Sequence, residues 1–176
     1  MRLARIALSV LLILSAAVTF VLAAGEDPSL IHPEQIDHCL KSPTAAGIDL
    51  NVETNPYYLR GDYDGDGRPD YAVAIRGRNT KRNGVLVCTG NGRTFLLGAD
   101  QRTTQPFSDM PNDNFFAPNW AVYSKEETRA LRQWKGITAA LPPRLVRGES
   151  IAMIWEDGIS IIYWDGHAYR WAAPTK

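Results

Sequence analysis

A surplus of charge of either sign is missing from this sequence, which sets 19 Lys and Arg against 19 Asp and Glu. Proteins that grip nucleic acid neutralise phosphates with a basic face, and their affinity rests on it. The balance here offers no such face, so no nucleic-acid partner is expected. Histidine is scarce too, with His32, His38 and His167 the three in the chain. The first two fall on a short helical segment and the third beside a turn, where a lone imidazole is ordinarily structural. G-x-S-x-G, H-E-x-x-H, the phosphate-binding P-loop and the dinucleotide fingerprint are all absent. No recognisable catalytic set is left, although the acidic residues leave room for a carboxylate pair of the glycosidase kind. No segment recurs at a fixed period, which excludes a propeller built by this chain alone.

Cysteine is limited to Cys39 and Cys88. Oxidising compartments favour pairing, and an even count leaves no orphan. The expected bridge ties the N-terminal helical segment to the first sheet; two buried free thiols are the alternative. His38 beside Cys39 is weak as a catalytic pair, because neighbours on a helix point about 100° apart.

What the sequence does have begins at its start. "MRLAR" is basic, "IALSVLLILSAAVTFVL" is apolar and "VLAA" ends in small residues. Together they read as an export signal, residues 1–24, cleaved after Ala23 or Ala24. A retained anchor is the alternative, since the apolar run approaches the ~20 residues that span a bilayer. No cysteine follows the run directly, which speaks against lipid attachment. Residues 25–176 are then expected to form one domain, a length ordinary for a single core, in the periplasm or secreted. Stable membrane insertion is expected only if the N-terminal segment is retained.

Along that domain, "HPEQIDHCLK" places Ile36, Cys39 and Leu40 at i, i+3 and i+4, the mark of a short amphipathic helix, closed by "SPTAAG". "YAVAIR" alternates Tyr71, Val73 and Ile75 with Ala72 and Ala74, and with "GVLVCT" and "RTFLLGA" reads as three antiparallel strands. Between the first two, "RGRNTKR" sets Arg76, Arg78, Lys81 and Arg82 in a hairpin loop. It is read as a solvated turn, with binding of an anion or envelope polymer as the alternative. Asp100 to Asn119 is polar and proline-rich, a loop. Ser124 with Glu127 is a capping box opening "SKEETRALRQW", with Leu131 and Trp134 on one face. "IAMIW", "ISIIYW" and "HAYRW" form a second meander joined at Asp157-Gly158 and Asp165-Gly166. Its middle strand is apolar on both faces and so must be covered on both. The expected architecture is mainly β, with α+β as the alternative: antiparallel sheets and two short helices in a single domain.

The densest chemistry is "GDYDGDGRPD", residues 61–70. Numbered from Asp62, the loop has Asp62, Asp64 and Asp66 at positions 1, 3 and 5, Gly67 at 6, Arg68 at 7 and Asp70 at 9. Calcium takes six to eight oxygens, and alternate carboxylates with the backbone carbonyl at position 7 can wrap one ion. Glycine at position 6 permits the sharp turn. Position 12 is Val73 instead of the bidentate glutamate of an EF-hand, and a strand follows instead of a helix. Unpaired carboxylates this close would raise one another's pKa, and no nearby histidine or cysteine invites zinc. The candidate metal ligands are therefore Asp62, Asp64, Asp66, Arg68 and Asp70, with Ca2+ as the ion. The Arg60–Asp62 tripeptide, adhesion-like in letters, is discounted because Asp62 is expected to turn inward.

The run "GDYDGDGRPDYAVA" resembles the calcium loop of FG-GAP/VCBS-type repeats, in which D-x-D-x-D-G-x-x-D leads directly into a strand. The resemblance spans about residues 58–76, in one copy. It implies that Asp70 stands in for the missing glutamate, and it implies no reaction. The expected function is an exported, non-catalytic calcium-binding domain that docks to a protein or envelope polymer or stabilises an envelope assembly. A small exported hydrolase and an inhibitor of an exported enzyme are the alternatives.

Overall fold

The computed structural model describes residues 32–99, 119–131, 146–156 and 158–172. Helix α1 (Glu34–Leu40) and a 3-10 turn (Pro43–Ala45) lead into β1 (Ile48–Leu50), β2 (Tyr58–Gly61), β3 (Asp70–Gly77), β4 (Asn83–Cys88) and β5 (Thr94–Gly98). After them come β6 (Asn119–Tyr123), α2 (Lys125–Ala130), β7 (Ser150–Trp155), β8 (Gly158–Trp164) and β9 (Tyr169–Ala172). All pairings are antiparallel. In the first sheet β3, β4 and β5 run in order, and β1 and β2 lie end to end along the free edge of β3. The second sheet is β6-β7-β8-β9. The fold is mainly β with two short helices, as the periodicity requires.

The alternation in β3 decides the layering. Tyr71, Val73 and Ile75 point outward and pack with Leu86, Cys88 and Leu96 against Ile36 and Cys39 of α1. Ala72 and Ala74 point inward, and their small size leaves room for Trp120 and Trp164 from the second sheet. Interdigitation of large and small side chains is how facing sheets reach native packing density. β8 is covered twice, as its sequence demands. Ile162 and Trp164 face the first sheet, while Ile161 and Tyr163 join Leu131, just past α2, on the outer side. The layers run α1, first sheet, second sheet, α2.

Two covalent and capping details hold the helices. Cys39 and Cys88 form a disulfide that fastens α1 to β4. The Ser124 hydroxyl accepts from Glu127 N–H while the Glu127 carboxylate accepts from Ser124 N–H, a full capping box. Trp134 and residues 100–118 of the expected polar loop lie outside the described residues. At the β8–β9 turn Gly166 has φ +103°. Asp165 serves there through its carboxylate, which accepts from His167 and Ala168 N–H. Trp164 is buried between the sheets, and Trp155 and Trp171 meet edge to face at the rim of the same core. Among the described residues no helix is long and apolar enough to cross a membrane.

Candidate metal centre

The aspartate loop leaves β2 at Gly61 and enters β3 at Asp70, residues that are register partners. The strand pair therefore folds the intervening run back on itself. Asp62, Asp64 and Asp70 turn their carboxylates to the inside, and Gly67, at φ +84°, makes the bend that residues with a Cβ rarely adopt.

Asp62, Asp64 and Asp70 converge, with one carboxylate oxygen from each lying within 4.8 Å of the others. Oxygens bound to one ion at ~2.3–2.6 Å can be at most about 5 Å apart, so the three can hold a single metal ion. Their chemistry fits a hard cation, since every donor is a carboxylate oxygen. The fit has a second mark. Asp62 Oδ1 is buried and has no hydrogen-bond partner, although Oδ2 of the same group accepts from Gly67 N–H at 3.2 Å.

The other two carboxylates are largely satisfied by protein. Asp70, fully buried, accepts from Tyr63 N–H (2.7 Å), Asp64 N–H (3.1 Å) and Gly90 N–H (2.7 Å). Burial nevertheless lifts its carboxyl to about 6; the neighbouring Asp64 charge adds to this, and the three backbone bonds oppose it. Asp64, with a side chain 2% exposed, is neutralised by Arg93 at 2.7 Å and accepts from Asn91 Nδ2 at 3.0 Å. Asn91 and Arg93 come from the β4–β5 turn, whereas the sequence reads Arg93 as the first residue of the strand "RTFLLGA". The Arg93 guanidinium also lies 5.4 Å from the ring centroids of Phe95 and Trp164, so it joins loop and core.

Asp66 and Arg68 are placed differently. The Asp66 carboxylate accepts from Arg68 N–H at 2.8 Å and from Asn91 Nδ2 at 3.2 Å, and it lies outside the three-carboxylate cluster. Arg68 is exposed on the rim of an open cleft of about 330 Å³ that Arg60, Asp62, Pro69 and Glu149 also line. Of the basic residues expected in the hairpin loop, Arg76 lies within β3 and pairs with Glu53, while Arg78, just past the strand, pairs with Asp49, bracing the sheet edge. Of the histidines, His32 contacts Asp37 at 2.8 Å, and His167 lends its backbone N–H to the β8–β9 turn.

Comparison with protein-family models, with curated proteins and with solved structures found no match.

Proposed function

We propose that this chain is an exported, non-catalytic domain that binds calcium in the 62–70 loop. On this reading the ion serves the architecture of the loop, and the domain docks to a protein or envelope polymer. The observation that carries the proposal is the buried Asp62 Oδ1, without a protein partner, inside a cluster of three carboxylates. A buried carboxylate oxygen left without a partner costs free energy, and a cation bound there removes that cost. The all-oxygen donor set favours calcium or magnesium over zinc, which prefers nitrogen and sulfur. Calcium is preferred because the loop supplies several protein oxygens, whereas magnesium keeps most of its waters.

The spacing of the aspartates and their run into β3 support kinship with FG-GAP/VCBS-type calcium repeats. The Cys39–Cys88 bridge supports an oxidising compartment, in keeping with the leader-like first 24 residues. Separate calorimetric titrations with calcium and magnesium test the reading. The expected dissociation constant for calcium is of the order of 10⁻⁴–10⁻³ M, as for extracellular modules, with magnesium weaker. No binding at millimolar calcium, together with a melting temperature that chelator leaves unchanged, would end it.

A further inference from the structure

The head of the aspartate loop is held from the other sheet. Asp62 N–H donates to Glu149 Oε2 at 2.8 Å, and Asp62 C=O accepts from Glu149 N–H at 2.8 Å. The two residues are 87 positions apart. Glu149 immediately precedes β7, an inner strand of the second sheet. The approach is backbone against backbone. A Cβ on Gly148 would lie 2.4 Å from the Asp62 carbonyl oxygen, and one on Gly65 would lie 2.6 Å from that of Arg147. Only glycine at both crossings lets residues 62–65 and 147–149 lie this close. Over the rest of the interface the sheets meet mainly through apolar side chains.

We propose that Glu149, far outside the aspartate run, positions the metal loop, and that through it a cation bound at 62–70 fastens the second sheet to the first. The proposal rests on the metal reading above. Asp62 is pinned at both its N–H and its C=O, so the second sheet fixes the backbone that presents its carboxylate to Asp64 and Asp70. A cation that gathers the three carboxylates orders, in turn, the backbone to which residues 147–149 are bonded. Such coupling is reciprocal: whatever factor docking adds to cation affinity, the cation adds to docking. Glu149 is a positioning residue, because the three-carboxylate cluster does not include it.

Two measurements on the full folded chain test this. Calcium titration of wild type, Glu149→Gln and Glu149→Ala should show at least about fivefold weaker binding in the alanine variant, the lower end of usual site-to-site coupling. Glutamine, which keeps an acceptor for Asp62 N–H, should fall between. Hydrogen exchange of wild type should quicken on chelation in residues 150–155 as well as in 62–70. Wild-type affinity in a folded Glu149→Ala, or a chelator effect confined to 62–70, overturns the proposal and leaves the calcium site standing. A wild type that binds no calcium removes the site, and the proposal with it. The exchange measurement needs no variant, so it separates these outcomes even if Glu149→Ala fails to fold.

Discussion

In chelator Asp62→Ala and Asp70→Ala should differ sharply in stability, although both remove a carboxylate from the same cluster. Asp70 holds three backbone N–H groups, from Tyr63, Asp64 and Gly90. Each buried donor left without an acceptor costs ~1–3 kcal/mol. Removing a charge that burial disfavours returns part of this, so Asp70→Ala should cost about 3 kcal/mol in chelator, and about 1 kcal/mol more in calcium because a ligand is lost as well. Asp62 accepts one bond, from Gly67, and its other oxygen has no partner. In chelator Asp62→Ala should therefore lie within about 1 kcal/mol of wild type. What it loses is the response to calcium. At about 1 mM ion and a dissociation constant of ~10⁻⁴–10⁻³ M, that response is worth about 0.4–1.4 kcal/mol in wild type. Urea melts of the three proteins, each in calcium and in chelator, separate the two roles. A calcium response of wild-type size in Asp62→Ala would refute the ligand assignment. An Asp70→Ala protein as stable as wild type in chelator would refute the structural one.

Asp66→Ala should weaken calcium binding less than Asp62→Ala, because Asp66 spends its carboxylate on Arg68 and Asn91; equal losses in calorimetry would mean that the loop rearranges around the ion. Trp164→Ala should cost ~3–5 kcal/mol by urea melting, since the ring is buried against Phe95 and Tyr169 between the sheets. A variant of wild-type stability would place the meander outside the core. Reducing Cys39–Cys88, which are 49 residues apart, should cost about 4 kcal/mol on the chain-entropy model. Two thiols open to alkylation in the denatured, unreduced protein would contradict the bridge. Burial works to raise the Asp165 carboxyl, but hydrogen bonds from Arg170, Ala168 and His167 outweigh it and hold the group at about 2. A depressed acid stabilises the fold above its ordinary range near pH 4, and that contribution is lost as pH falls from about 4 to about 2. Water screens this rim site, so the loss should stay under about 1 kcal/mol. Arg170→Ala should reduce it, and equal acid sensitivity in variant and wild type would count against the assignment.

Where a signal is local, the fold is legible in the sequence. Alternation in "YAVAIR" assigns Tyr71, Val73 and Ile75 to one face and the alanines to the other, and Ser124 with Glu127 marks the start of α2. Strands β1, β2 and β6 carry no such signal. The first two span three and four residues, too short to show a period. β6, "NWAVY", adjoins a proline-rich stretch that reads as loop, and its pairing with β7 is a tertiary matter. Glu149 gives no sign either, because a contact across 87 residues leaves no pattern in any window around it.

The aspartate loop divides the same way, and the division says what an ion is needed for. Spacing alone makes Asp62, Asp64, Asp66 and Asp70 equivalent inward carboxylates, all awaiting one cation. In space they are not equivalent. Asp70 is met by three backbone N–H groups, Asp64 by Arg93 and Asn91, and Asp66 by Arg68 N–H and Asn91. The protein thus answers much of the repulsion itself, with donors from the β4–β5 turn that no spacing rule could place. Asp62 is the residue left with a buried oxygen unanswered, and it is also the one pinned by the second sheet. A loop largely neutralised from within should fold without metal and bind it only moderately. The ion's effect should then appear as tighter closure at Asp62 more than as a gain or loss of the whole fold.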